Sequence, residues 1–363
     1  QLSYKFTYVN LLVRVIAIIV VLVIVNKWTN PANKLSWTFL ILLSPIFGLM
    51  VYFLFGRSGL TKHTRERMDA VNRQVEALFQ RDSAVEKGLE KESRSAYLQS
   101  SYIDKWAGFP LYQNTQTKYY SCGEEMFPDM LEALRGAKHF IFLEYFIIEE
   151  GYMFNTILDI LEEKAKAGVD VRFIYDDVGS INSISFGYYK KLQERGIPCV
   201  TFNPFKPLIS VVMNNRDHRK IFVVDGYIGF TGGINLADEY INKVQRFGYW
   251  KDTGVRIEGE AVWSLTAMFL EMWNYINRST EDYSSFLPSV YQQKKPDSDG
   301  FVQPYGDSPL DNENVGENIY LNIISRAKKY VYIFTPYLII DNEMMTALKL
   351  AAKRGIDVRI VTP

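Results

Sequence analysis

Three histidines and two cysteines are all that this 363-residue chain offers of the side chains that most readily hold transition metals. Cys122 and Cys199 lie far apart and form no CxxC or Cys/His cluster, and no HExxH occurs. The expectation is chemistry without a metal or other cofactor, and cysteines that are reduced and structural, although sequence leaves a bridge open. A surplus of either charge is missing too. Lys plus Arg is 41 and Asp plus Glu is 41, which removes the one-sign field of a protein that grips nucleic acid through its phosphates. What is plentiful is apolar surface. A hydrophobic share of 48%, with 24 Tyr and 23 Phe, excludes a wholly disordered chain, and the length suits about two folded units.

The longest apolar runs stand at the front. Leu35 to Phe55 holds 21 residues without a charge, enough for a helix to cross a hydrocarbon core of about 30 Å. Leu11 to Val25 is shorter and carries Arg14. Extended back through Phe6, it spans if that arginine snorkels to the near interface. A signal-peptide core and a buried soluble helix are the alternatives for the two runs. The expectation is a hairpin of two transmembrane helices over residues 1–56, with Trp28, Trp37 and Tyr52 at the interfaces. Only Lys27 and Lys34 occupy the connector, whereas Arg57, Lys62, Arg65, Arg67 and Arg73 crowd behind the second run. That asymmetry predicts a multi-pass protein of the cell membrane whose bulk faces the cytoplasm.

Residues 57–116 read as a polar helical linker, with Met68, Val71, Val75 and Leu78 at helical spacing. From about Thr117 short β-branched and aromatic runs alternate with amphipathic helices, the signature of an α/β fold. Phe140 to Ile148 and Val169 to Tyr175 are the expected strands around a helix over Asn155 to Ala167, stopped by Gly168. The same words return. AKHFIF at Ala137 resembles AKKYVY at Ala327, and GVDVRFI at Gly168 resembles GIDVRIV at Gly355, at offsets of 190 and 187. One β-α-β unit used twice follows, giving a first half over 117–278, a polar linker over 279–300 and the start of a second half over 301–363.

The chemistry concentrates in Asp217 to Gly226 (DHRKIFVVDG), followed by Gly232, Gly233 and Asn235. If this segment is extended, His218 and Lys220 leave on one face, less than about 7 Å apart. One nitrogen nucleophile and one cation then address a single phosphate. Gly232 and Gly233 admit close backbone approach to an anion, and Asn235 adds an uncharged donor. His63, in the basic joint, and His139, before a strand, lack such a setting.

Here the sequence resembles the phospholipase D superfamily, whose HxKxxxxDxxxxxxG[GS]xN signature is matched by His218, Lys220, Asp225, Gly232, Gly233 and Asn235. LFGR at Leu54 to Arg57, Leu143 to Phe146 and YWKDTGVRIEGEAV at Tyr249 narrow the resemblance to bacterial cardiolipin synthases. It implies a phospholipase D-like fold of two similar β-α-β-α halves, each giving one signature to a shared site. The implied reaction transfers a phosphatidyl group between two phosphatidylglycerol molecules through a phosphohistidine. His218 is the candidate nucleophile, and Lys220, Gly232, Gly233 and Asn235 hold the phosphate. Asp225 belongs to the signature, though its place beyond the strand suits tying the turn. Asp252 is the candidate carboxylate behind the histidine. Glu144 and Tyr145 suit packing better than substrate contact.

The offset of 187 puts the partner histidine about 42 residues past Pro363. The expectation is therefore a chain cut short of its second signature; the alternative, a second copy supplying it, leaves a homo-oligomer open. Which histidine attacks stays open too. A membrane phospholipase D, a phosphatidylserine synthase-like transferase and a non-catalytic scaffold binding anionic lipid are the competing functions.

Overall fold

A computed structural model describes residues 2–27, 30–56, 62–204, 216–246, 248–279, 281–291, 296–308 and 313–363, with the side chains of 2–6 and 62–65 excepted. The amino-terminal run forms one uninterrupted helix, α1 (Leu2–Val25). Its Thr7–Val25 stretch is, among the described residues, the one helix long and apolar enough to cross a membrane. The second apolar run does not form the single helix expected of it. Leu35 to Phe55 is divided between α2 (Pro31–Leu43) and α3 (Pro45–Phe55). Ser44, at φ −139° and ψ 83°, leaves the helical region, as a residue preceding proline is pushed to do. The chain then turns back on itself. Trp37 of α2 meets Tyr52 of α3 edge to face with ring centroids 5.4 Å apart, although fifteen residues of straight helix would separate them by about 22 Å. Gly48 makes the turn tight: a Cβ there would stand 2.6 Å from the Ile41 Cα. Ala17 and Ile24 of α1 close over Ile41, Leu49 and Tyr52 to give the segment a small core of its own. Trp28 and Arg57, expected near the interfaces, lie outside the described residues.

Three helices follow, α4 (Lys62–Glu76), α5 (Ser83–Glu92) and α6 (Arg94–Ala107). The Asp82 and Ser93 side chains cap the last two by accepting from the Ala84 and Ala96 N–H groups. The folded body then alternates strand and helix: β1 (Thr115–Tyr120), α7 (Gly123–Gly136), β2 (Phe140–Tyr145), α8 (Tyr152–Lys166), β3 (Asp170–Asp176), α9 (Tyr189–Glu194) and β4 (Cys199–Phe202). It continues through β5 (Ile221–Val224), β6 (Ile228–Gly232), β7 (Gly254–Gly259) and α10 (Val262–Asn277). The seven strands make one sheet in the order β1-β7-β6-β5-β2-β3-β4. β2, β3 and β4 run parallel and the other neighbours antiparallel.

Both faces of this sheet are covered. α7 and α8 bury Ile141 and Leu143 on one side. On the other, α10 covers Phe140 and Phe142, with Phe142 stacked 4.6 Å from Phe269. The segment expected to be a polar linker belongs to this second layer: Val75, Phe79 and Ile103 are buried against it, and the Arg67 guanidinium lies 5.0 Å over the Tyr275 ring. Hydrophobic stripes on α4 and α6, rather than solvation, fix their place. Cys122 and Cys199 are free thiols.

Beyond α11 (Pro288–Tyr291), the elements α12 (Val315–Arg326), β8 (Tyr330–Phe334), α13 (Asn342–Lys353) and β9 (Asp357–Val361) repeat the earlier β-α-β unit in detail. β2 and β3 pair in parallel from Phe140 opposite Asp170, and β8 and β9 from Tyr330 opposite Asp357. Arg172 clasps Asp170, as Arg359 clasps Asp357. The Lys164 ammonium donates to the Arg135 and Ala137 carbonyls that end α7, and Arg354 donates to Ser325 and Ala327 at the end of α12.

Candidate active site

The site forms where β2, β3 and β5 meet. Two buried acids fix the segment entering β5. Asp176, the last residue of β3, accepts from the Asp217 N–H at 3.0 Å, the Gly179 N–H at 2.8 Å and the Arg216 guanidinium at 3.2 Å. Glu144, near the end of β2, lies 2.7 Å from the Arg219 Nε, which also donates to Asp217 at 3.2 Å. Burial pushes the Glu144 carboxyl well above the usual carboxylate range, against the pull of Arg219. For Arg219 burial works downward, but Glu144 and Asp217 prevail and hold it above its ordinary value. Residues 217 and 219 thus point into protein. Residues 218 and 220 are delivered to the opposite side.

His218 and Lys220 do not belong to a strand, as β5 begins only at Ile221, yet their alternation holds. Both meet one ring: the His218 imidazole centroid is 4.7 Å from that of Phe146, and the Lys220 Nζ is 5.4 Å from the same centroid. His218 is exposed, whereas Lys220 is only 4% accessible. Its ammonium folds back to donate to the His218 carbonyl at 2.6 Å. Burial pulls the Lys220 ammonium down to about 8, against the charges of Asp217, Asp252 and Asp176. Partial desolvation, and then the Lys220 charge, lower the His218 imidazole below its ordinary value. At neutral pH the pair is therefore a free base beside a cation.

The other expected residues divide. Asp225 is not part of this cluster. It lies at the far end of β5, with φ +51°, and its carboxylate accepts from the Lys138, His139 and Phe140 N–H groups at 2.8, 2.7 and 2.9 Å. Its carboxylate is occupied by backbone, and the four apolar residues of β5 stand between it and Lys220. The glycine pair serves the neighbouring strand. A Cβ at Gly232 would come 2.4 Å from the Thr253 carbonyl oxygen, and one at Gly233 2.0 Å from the Asp252 Oδ1. The Gly233 N–H already donates to Thr253 at 3.0 Å, so the anion approach expected of that amide is not found. What the glycines permit is the closeness of Asp252, whose charge acts upward on both His218 and Lys220. Asn235 is buried; its carbonyl accepts from the Ile147 N–H at 3.0 Å and its amide donates to the Tyr240 hydroxyl at 2.8 Å. These two bonds leave the second amide hydrogen unused. Tyr145, like Glu144, is core. The His139 ring lies 4.5 Å from that of Tyr291, tilted by 34°, at the Asp225 end, and the His63 side chain lies outside the described residues.

Sequence reasoning missed Phe146, Asp176 and the Glu144–Arg219 pair. The signal for the pair was present as a glutamate closing an apolar strand. A cavity of about 630 Å³ adjoins His218, lined by Phe79, Trp106, Phe202, Met268 and Met272 with Arg219 and Glu271. Burial lifts the Glu271 carboxyl to about 7, against the pull of Arg219. A larger cavity of about 1140 Å³ lies away from this cluster, between α6 and the β8–β9 unit. Among the described residues no three His, Cys, Asp or Glu side chains gather as metal ligands.

Comparison with known proteins bears on this geometry. A family model described as "Cardiolipin synthase, PLD-like domain" matches residues 130–273 and 320–363, and one described as "Phospholipase_D-nuclease N-terminal" matches 15–57. A "Cardiolipin synthase 1" of Bacillus anthracis is 35% identical over 99% of the chain and 71% of its own length. A "Cardiolipin synthase" of Alkalihalophilus pseudofirmus is 36% identical over 92% of the chain and 66% of its own length. An uncharacterised protein of Streptococcus mutans is 43% identical over 94% of the chain and 74% of its own length. The chain thus spans roughly two thirds to three quarters of these relatives.

Proposed function

Because the chain belongs to the cardiolipin synthase family of phospholipase D-like proteins, its chemistry is phosphatidyl transfer, and we propose that the transferred group rides on His218. The imidazole nitrogen attacks the phosphorus of one phosphatidylglycerol. An N–P bond forms, the P–O bond to the headgroup glycerol breaks, and glycerol leaves with a proton. The free hydroxyl of a second phosphatidylglycerol then attacks the phosphohistidine, giving cardiolipin and restoring the imidazole. A general acid supplies the first proton and recovers the second. In this proposal that acid is the histidine of a paired half, which residues 219–363 do not contain and which a second copy or sequence outside residues 1–363 supplies.

The observation that carries the reading is the pairing of His218 and Lys220 on the Phe146 ring. An uncharged histidine is a competent nucleophile near neutral pH, and an ammonium held close to it receives a nonbridging oxygen as the phosphorus becomes crowded and more negative. One such donor is worth about 3 to 4 kcal/mol of barrier. The remaining Asn235 amide hydrogen serves the same oxygens. Asp252 stabilises the imidazole when it carries charge. Membrane attachment through α1 suits a reaction whose substrates and product are lipids, and the basic residues after Phe55 support a catalytic body on the cytoplasmic face.

The test is product analysis from phosphatidylglycerol vesicles incubated with the full chain. Cardiolipin with equimolar glycerol is expected, and nothing above background from His218→Ala. Phosphatidic acid in place of cardiolipin would make water the acceptor and overturn the transferase reading. Undiminished turnover by His218→Ala would remove His218 from the chemistry.

A further inference from the structure

We infer that α2 and α3 form a re-entrant hairpin seated in the hydrocarbon of one leaflet, so that the chain crosses the bilayer once, through α1. The body then lies on the side of the carboxy-terminal end of α1. This goes beyond the catalytic reading and does not depend on it.

Length is the first argument. α2 has 13 residues and α3 has 11, or about 20 and 17 Å of helix, each short of the roughly 30 Å core yet enough to enter and leave one leaflet. Geometry is the second. The Lys27 ammonium, just past the end of α1, donates to the Tyr52 hydroxyl at 3.2 Å, and the Lys34 ammonium donates to the Val25 carbonyl at 3.1 Å. The entrance of α2 and the exit of α3 therefore share one level, that of the end of α1. A second crossing would put Tyr52 near the start of α1 instead.

The closed end of the hairpin is built for hydrocarbon. Leu42, Leu43, Ile46 and Phe47 are 54, 71, 69 and 52% exposed, and no charge occurs from Leu35 to Phe55. Irregular backbone is costly there unless its polar groups are satisfied. The break is confined to Ser44, whose N–H donates to Leu40 at 3.2 Å and whose carbonyl accepts from Gly48 at 2.6 Å. Proline at position 45 has no N–H to lose.

The distribution of charge is compatible with this arrangement. Two crossings would part Lys27 and Lys34 from Arg57, Lys62, Arg65, Arg67 and Arg73. A re-entrant hairpin gathers all seven on one face and leaves Lys5, with Arg14 snorkelling, on the other. Two crossings would instead gather Lys5 and Arg14 with the last five and leave Lys27 and Lys34 opposite, seven against two in either case, so the single crossing rests on length and geometry.

Single-cysteine full-length chains in a Cys122→Ser, Cys199→Ser background test this with a membrane-impermeant maleimide. The probe is applied to sealed membranes of each orientation and after detergent. Asn33→Cys and Lys91→Cys are expected to label from the same face and Ser3→Cys from the opposite one. Ser44→Cys is expected to label only after detergent. Ala32→Cys duplicates the decisive position should Asn33→Cys fail to accumulate. Labelling of positions 33 and 91 from opposite faces would overturn the hairpin, as would labelling of position 44 in sealed membranes. Labelling of positions 3 and 91 from one face would overturn the single crossing. A catalytically silent chain would still report its topology.

Discussion

Replacing Lys220 by methionine separates what the site costs the fold from what it contributes to the reaction. Burial holds the Lys220 ammonium at about 8 instead of its ordinary 10.5. At about 1.4 kcal/mol per unit, keeping it charged at pH 7 costs the folded chain about 3 kcal/mol. The hydrogen bond to the His218 carbonyl returns about 1 kcal/mol. Lys220→Met, similar in length and uncharged, should therefore stabilise the detergent-solubilised protein by about 2 kcal/mol at pH 7 while lowering cardiolipin formation at least 100-fold. The sign with pH follows from proton binding. Between pH 8 and 10.5 the unfolded chain holds a proton at this lysine that the folded chain has released, so wild-type stability climbs through that window. The advantage of the variant should fade there and be gone above pH 10.5. Denaturant titrations of both proteins from pH 6.5 to 10.5 provide the measurement. Parallel curves without convergence, or a variant less stable than wild type at pH 7, would refute the burial argument whatever happens to activity.

The free site needs neutral His218 with charged Lys220, so kcat/KM should fall below an acid limb under pH 6.5 and above an alkaline limb near pH 8; a flat profile over pH 5 to 9 would contradict the assignment. Asp252→Asn removes a charge that raises the His218 value, so its acid limb should move to lower pH, and an unmoved limb would take Asp252 out of the site. Asp225→Ala strips three N–H groups of their acceptor; it should cost about 3 kcal/mol of stability yet keep turnover at low temperature. Loss of turnover with an unchanged unfolding midpoint would return Asp225 to the chemistry.

Much of the site was legible because its residues lie close in sequence. The alternation that carries His218 and Lys220 to one side needs only extended backbone, and it survives the absence of a strand at those positions. The repeated β-α-β unit was legible because its ends share a Gly-x-Asp-Val-Arg phrase, and the structure shows what that phrase does: Arg172 and Arg359 each clasp the aspartate two residues earlier. The hairpin of α2 and α3 was hidden by averaging, since an uncharged run reads as one helix to any count of hydropathy. Pro45 was the visible sign against it. The Glu144–Arg219 pair joins residues from different strands and needs tertiary registration to be seen. Asn235 and the glycines lie beside the site, but what most of their atoms do there, bonding Ile147, Tyr240 and the neighbouring strand, needs the folded chain to be seen.

The carboxylate of Asp225 clamps the beginning of β2 to the end of β5, and from that clamp the two strands run antiparallel with Ile141 opposite Val224 and Glu144 opposite Ile221. Four residues therefore act as a ruler between a fixed post and the reactive pair. Adding or deleting one rung would rotate every later side chain to the other face, leaving the imidazole where Arg219 now meets its buried acid. The interval between lysine and aspartate in the signature is in this sense a mechanical dimension, and its tolerance is zero.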